Sequence, residues 1–251
     1  MTPVPLNSES LQEQLGELLA ELALLTAEGA RMDAVAGTDT PADILAAFGQ
    51  LIEVMQRLES EYRHGTPDAL RGLAGSVTEL GEFAFSLLEK TERALGPATP
   101  ERSALRAALD IGFAYWVARH GGAILDYGPL VDRIALLANR TQTPEVLADL
   151  ATVMLKLIDA AAPAYAQDLD SANPGRPWRL LHLNLGIVAT RARRADLMEQ
   201  AFARLVTHLP QDAAQFFHQG MQQLERIDYP ESVRTVMQDF YQRWGDKPAL
   251  H

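Results

Sequence analysis

Ser8-Glu-Ser-Leu-Gln-Glu-Gln-Leu-Gly-Glu-Leu-Leu-Ala-Glu-Leu-Ala-Leu-Leu25 is the stretch on which the fold class turns. Leu11, Leu15, Leu18, Leu22 and Leu25 are spaced four, three, four and three residues apart. That spacing draws one stripe along an α-helix and fits no strand, whose side chains repeat every second residue. Ser8 or Ser10 offers an N-cap hydroxyl to the first turn. Glu9, Glu13, Glu17 and Glu21 run alongside as an acidic stripe that repels itself mildly at i,i+4. An amphipathic helix with a solvated face accounts for the pattern. A dimerising coiled coil is the sharper alternative, but it needs three to four heptads and this run supplies about two.

The same period continues outward through almost the whole chain, and no run of alternating β-branched or aromatic residues interrupts it. Breaks fall at Gly37–Pro41, Gly65–Pro67, Gly96–Pro100, Asn139–Pro144 and Asp168–Pro177. Thr40-Pro41, Thr66-Pro67, Thr99-Pro100 and Thr143-Pro144 each pair an N-capping hydroxyl with a proline pre-set for the first helical position, so helices are expected to start there. Segments of about 20–30 residues between short breaks give antiparallel helix pairs. The expected fold is all-α: about ten helices as antiparallel hairpins stacked into a solenoid or bundle. Pro174, Gly175 and Pro177 make 168–177 the strongest linker signal. This predicts an acidic helical region at 1–167, a repeat-like part at 178–246 and a short tail at 247–251. Asp168-x-Asp170 resembles the start of a calcium loop, but the glycine and closing glutamate are not where that loop needs them.

Composition narrows the function. The 251 residues are 47% hydrophobic and 22% charged, the balance of a globular chain. With no cysteine, thiol nucleophiles, disulfides and zinc-thiolate sites are excluded. The net charge of −11 lies entirely in residues 1–167, with 23 acidic and 12 basic side chains, while 168–251 hold 10 of each. An acidic front suits a basic partner and disfavours nucleic acid, whose non-specific affinity comes from phosphate neutralisation. The opening residues carry no basic, apolar leader, and no uncharged stretch approaches the ~18 residues of a membrane span, so a soluble, cytoplasmic protein is expected.

The chain holds no phosphate loop, no Gly-x-Ser-x-Gly and no His-Glu-x-x-His. Its six histidines never fall three or four apart, and neither a metal nor a cofactor is expected. Glu61-Tyr-Arg-His64 has the Glu-x-x-His spacing of di-iron bundles without the second copy they require, which leaves His64 as a helix C-terminal residue. The segment 107–118 is apolar nearly all round, apart from Asp110, and reads as a buried central helix. The functional alternative is a ligand pocket or partner surface around Asp110, Phe113, Tyr115 and Trp116. Arg106, one turn before Asp110, is the candidate ion-pair partner that would make this carboxylate structural rather than a general acid.

Gly186 and Gly220 stand 34 residues apart, each inside a helical pattern where glycine costs roughly 1 kcal/mol relative to alanine, which points to helix crossings too close for a Cβ. Around them, Leu183-Asn184-Leu185-Gly186, Phe202 and Pro210 resemble a tetratricopeptide repeat. The copy is degenerate. His182, Ala189 and Met198 replace the usual aromatic, tyrosine and small alanine, and a weaker second copy keeps Phe216 and Gly220 but has Ser232, Val236 and Trp244 at later positions. The likeness covers about 180–246 only. Since about three repeats are needed for stability, the tail is expected to pack on preceding helices. The resemblance implies a concave peptide groove at Asn184, Ile187, Arg191, Phe217, Met221 and Glu225. Arg176, Arg179, Arg191, Arg193 and Arg194 gather charge nearby, as ion pairs to the acidic front or as a site for an anionic partner. The expected function is therefore non-catalytic: an adaptor, scaffold or assembly factor binding a peptide or partner helix. The alternatives are a small-ligand sensor or enzyme at Asp110 and Trp116, and a DNA-associated regulator using the arginines of 176–194.

Overall fold

The computed structural model describes residues 3–27, 39–168 and 172–245, except the side chains of 67–69. Gly37, Asp170 and the 247–251 tail, all singled out in the sequence, lie outside the described residues. Among the described residues there are eleven helices and no strand, only an isolated bridge between Ile124 and Ala161. They form two compact units, one of Met1–Asp126 with Asp159–Ala162, the other of Tyr127–Ile158 with Pro163–His251. The division therefore falls after Asp126, and the proline-rich break at 168–177 is internal to the second unit.

In the first unit, α1 (Ser8–Ala27), α2 (Pro41–His64), α3 (Pro67–Leu95) and α4 (Pro100–Arg119) each pack on the next, and α4 packs back on α1. That closed circuit is a four-helix bundle. The leucine stripe of α1 is spent inside it: Leu11, Leu15, Leu18 and Leu22 are buried by its own neighbours, which leaves no seam for a dimeric coiled coil. Asn7, not Ser8 or Ser10, caps α1, its Oδ1 accepting from the Ser10 amide at 2.9 Å. Thr40 and Thr99 cap as the sequence predicts, Thr40 in a reciprocal capping box with Asp43. The four helices that follow Thr-Pro pairs all begin at the proline. Buried without a break from Ala104 to Ala114, α4 is the bundle's core helix.

The second unit contains α5 (Gly128–Arg140), α6 (Pro144–Asp159, its last residue assigned to the first unit), the short α7 (Pro163–Ala166), α8 (Pro177–Arg191), α9 (Ala195–His208), α10 (Pro210–Arg226) and α11 (Glu231–Trp244). Here α8 and α9 form one hairpin, α10 and α11 a second stacked on α9, and α5 supports α8. Phe202 holds the stack together, with edge-on contacts to Phe216, Phe217 and Phe240 at centroid distances of 5.1–5.6 Å. At both interior glycines a neighbouring side chain occupies the space of the missing Cβ, and at Gly220 the helices α10 and α11 pack closely. A Cβ on Gly186 would lie 2.5 Å from Cζ of Phe216, and one on Gly220 would lie 2.5 Å from Sδ of Met237.

Candidate functional site

The ring of Phe216, reaching from α10, fills the space beside Gly186 of α8, and an open cleft of about 510 Å3 lies next to that contact. Its apolar floor comes from Leu147 of α6, Ile187 of α8, Phe216 of α10, Met237 of α11 and the Ile227–Tyr229 turn. Ile187 and Ile227 remain 48% and 42% exposed, and they are the only large apolar side chains of the described second unit left so open to water. The rim is polar, formed by Gln142, Thr190, Gln219, Gln222 and Gln223. Gln142, Gln219 and Gln223 have no side-chain hydrogen-bond partner among the described residues, whereas Gln222 meets His218 at 3.1 Å.

Two arginines line the cleft, and no carboxylate does. Arg191 is held in place, donating to the carbonyls of Ala138 at 2.9 Å and Thr141 at 2.8 Å, so that it serves the unpaired C-terminal end of α5. Arg193 is exposed and has no side-chain partner among the described residues. Its backbone sits at φ 57°, in the left-handed region, just past the end of α8 where a helix usually places glycine.

Of the six residues assigned to a groove by resemblance, Ile187 and Arg191 line this cleft and the other four do not. Phe217 is a correction: it is fully buried, and its ring packs on Phe202 and Phe240, because one step along α10 turns it from the cleft to the core. Phe216 takes the cleft position instead. Asn184 and Met221 are half-buried outside the lining, and Glu225 is exposed outside it. Gln142 and Leu147 escaped sequence reasoning because they precede the repeat-like pattern, and Tyr229 because it sits in the turn between α10 and α11, where the helical period says nothing of direction. Phe216 was within reach, since the Cβ missing at Gly186 is the space its ring occupies.

The proposed pocket on α4 is also corrected. Asp110 and Phe113 are buried among packed neighbours, and Tyr115 and Trp116 border only a crevice of about 10 Å3. Arg106 reaches both Asp110 oxygens through Nε, at 3.1 and 3.0 Å, and binds Glu92 at 2.7 Å and the Leu88 carbonyl at 2.8 Å. Trp116 donates from Nε1 to Glu59 at 2.7 Å and stacks on His120. Burial holds the His120 imidazole below its usual pKa. His64 is exposed at the end of α2, and no three His, Asp or Glu side chains among the described residues stand close enough to share a metal.

The arginine cluster is mostly paired, and with local carboxylates rather than those of the acidic front. Arg176 chelates Asp168 at 2.6 and 2.8 Å, Arg179 binds Asp212 at 2.7 Å, and Arg194 binds Asp196 at 2.7 Å. Nearby, His182 is fully buried, its ring 4.5 Å from that of Trp178 and 5.0 Å from that of His208. Neither of its ring nitrogens has a protein partner among the described residues, nor does Nε1 of Trp178. Burial first, then the His208 and Arg204 charges, push the His182 pKa down to about 3, so the ring is neutral.

No family model matches the chain, and neither a curated protein nor a solved structure matches it. None of the described helices is long and apolar enough to cross a membrane.

Proposed function

We propose that this chain is a non-catalytic interaction protein, a cytoplasmic adaptor or assembly factor, whose second unit holds a peptide segment of its partner in the cleft beside α8 and α10. The observation that carries the reading is the pair Ile187 and Ile227, kept half-exposed on an apolar floor inside an open cleft. Apolar side chains so placed lose water only when something covers them. The polar rim favours a peptide as that cover. An unpaired carboxamide offers one acceptor and two donors, matching the carbonyl and amide that every peptide unit must satisfy. The tetratricopeptide resemblance of 180–246 supports the same reading, since peptide binding is what it implies. The runner-up sites fare less well: Asp110 is already paired with Arg106, and Arg176, Arg179 and Arg194 already face carboxylates.

Panning a random displayed peptide library on the full chain tests the reading. Selected peptides are expected to bind Ile187→Asp at least tenfold more weakly, the scale of a buried interface anchor, with unchanged thermal unfolding. Peptides that bind wild type and Ile187→Asp alike would overturn it.

A further inference from the structure

The charge of the cleft says which peptides it takes. Among its lining residues the formal charges are Arg191 and Arg193 alone, with no carboxylate to oppose them. An uncompensated pair of cations beside an apolar floor favours an anionic group and repels a basic one. The two guanidiniums differ in readiness. Arg191 donates to the α5 carbonyls, which fixes its charge at the cleft without using it against a carboxylate. Arg193 faces solvent, and its donors have no partner among the described residues.

The backbone points the same way. Arg193 is one of two non-glycine residues at positive φ among the described residues, and it closes α8 through its amide, which donates to Thr190 O at 3.1 Å. Only local geometry is served by that conformation, and glycine would serve it without the clash that L-side chains meet there. The arginine side chain is what the position holds at the expense of strain, and it ends at the cleft. We propose, resting on the peptide-binding reading above, that the cleft is selective for an acidic peptide segment: an Asp or Glu carboxylate paired with Arg193 in the field of Arg191, next to a bulky apolar side chain seated on Ile187 and Ile227.

The strain supplies a test that folding cannot confuse. Arg193→Gly removes the charge while relaxing the backbone, so its thermal unfolding temperature is expected to be equal to or above that of wild type. Peptides recovered by panning on wild type are expected to be enriched in Asp and Glu beside an apolar residue. They should bind Arg193→Gly about fivefold more weakly, the scale of an exposed ion pair, with most of the salt dependence gone. Selected peptides that depend on Ile187 but show no acidic bias, or bind Arg193→Gly equally, overturn the selectivity and leave the peptide reading standing. Failure to recover any Ile187-dependent peptide removes both. Binding of free succinate or glutamate at the cleft, with no gain from a longer peptide, replaces the peptide with a small carboxylate and overturns the proposal as well.

Discussion

Asp110 shows how a single residue type can point to chemistry and turn out to be structural. Asp110 is 4% exposed in the core helix of its bundle, a placement that costs several kcal/mol unless the charge is paired and hydrogen-bonded. Arg106 pairs it from one turn earlier through Nε and donates from Nη1 to the Leu88 carbonyl and the Glu92 carboxylate of α3. Asp110→Ala is therefore expected to destabilise the first unit by about 1–2 kcal/mol, because it removes one of the two carboxylates that face a buried guanidinium and leaves Nε without its partner. The double variant Arg106→Met with Asp110→Leu is expected to recover most of that loss. Urea unfolding of the three proteins measures both values. Equal stability of Asp110→Ala and wild type would show that the pair carries no structural role. The i−4 arginine was legible in the sequence because helical spacing is local. Glu92 and Leu88 were not, since only the packing of α3 on α4 brings them there. The same limit explains Phe217: a degenerate repeat fixes which helix carries the aromatic pair but not its rotation, and a 100° step separates core from cleft.

At the scale of elements, two glycines 34 residues apart play the same part with different tolerance. At Gly186 the missing Cβ would meet the ring of Phe216, whose rigid plane is wedged against Phe202 and Phe217. At Gly220 it would meet Sδ and Cε of Met237, the free end of a flexible side chain. Gly220→Ala is thus expected to lie near neutral, as about 1 kcal/mol of helix propensity offsets a small shift of Met237. Gly186→Ala, with the same propensity gain, is expected to lose about 1–2 kcal/mol by overpacking, and Phe216→Leu in that background should restore part of it. Chemical denaturation of the four proteins decides this, and an equal response at both glycines would refute the difference in packing. Sequence spacing made both close contacts legible, just as it made the Thr-Pro helix starts legible. It did not reveal that α5 supports α8, because α5 precedes the repeat-like stretch and no period relates the two helices.

Across the whole molecule, burial holds three histidines below their usual pKa, the half-buried His120 in the first unit and His182 and His208 in the second. Their acid sensitivity follows from the direction of the shifts. The unfolded chain takes up a proton at each ring near the ordinary histidine pKa of about 6.5. The folded chain resists, and His182 waits until about 3. Stability from these rings is therefore complete above pH 6.5 and drains away as the pH falls below it, at roughly 1 kcal/mol per pH unit for a ring that stays neutral. Asp43 and Asp196 add nothing to this loss between pH 7 and 5, because hydrogen bonds hold both below their ordinary range, the first from Thr40 and the second from Arg194, while Glu82 of the first unit, raised by burial and then by Asp126, works in the opposite direction. Within the second unit, Arg204 and His208 add to the cost of charging His182. Amide hydrogen exchange at pH 7 and pH 5, corrected for intrinsic rates, reads the two units separately, and both are expected to lose protection at pH 5. His182→Phe keeps an aromatic ring against Trp178 while removing its titration, so it should reduce the loss in the second unit, leaving the smaller part due to His208, and leave that in the first unchanged. If the second unit of His182→Phe still loses protection as wild type does, then His182 is not what makes it acid-sensitive.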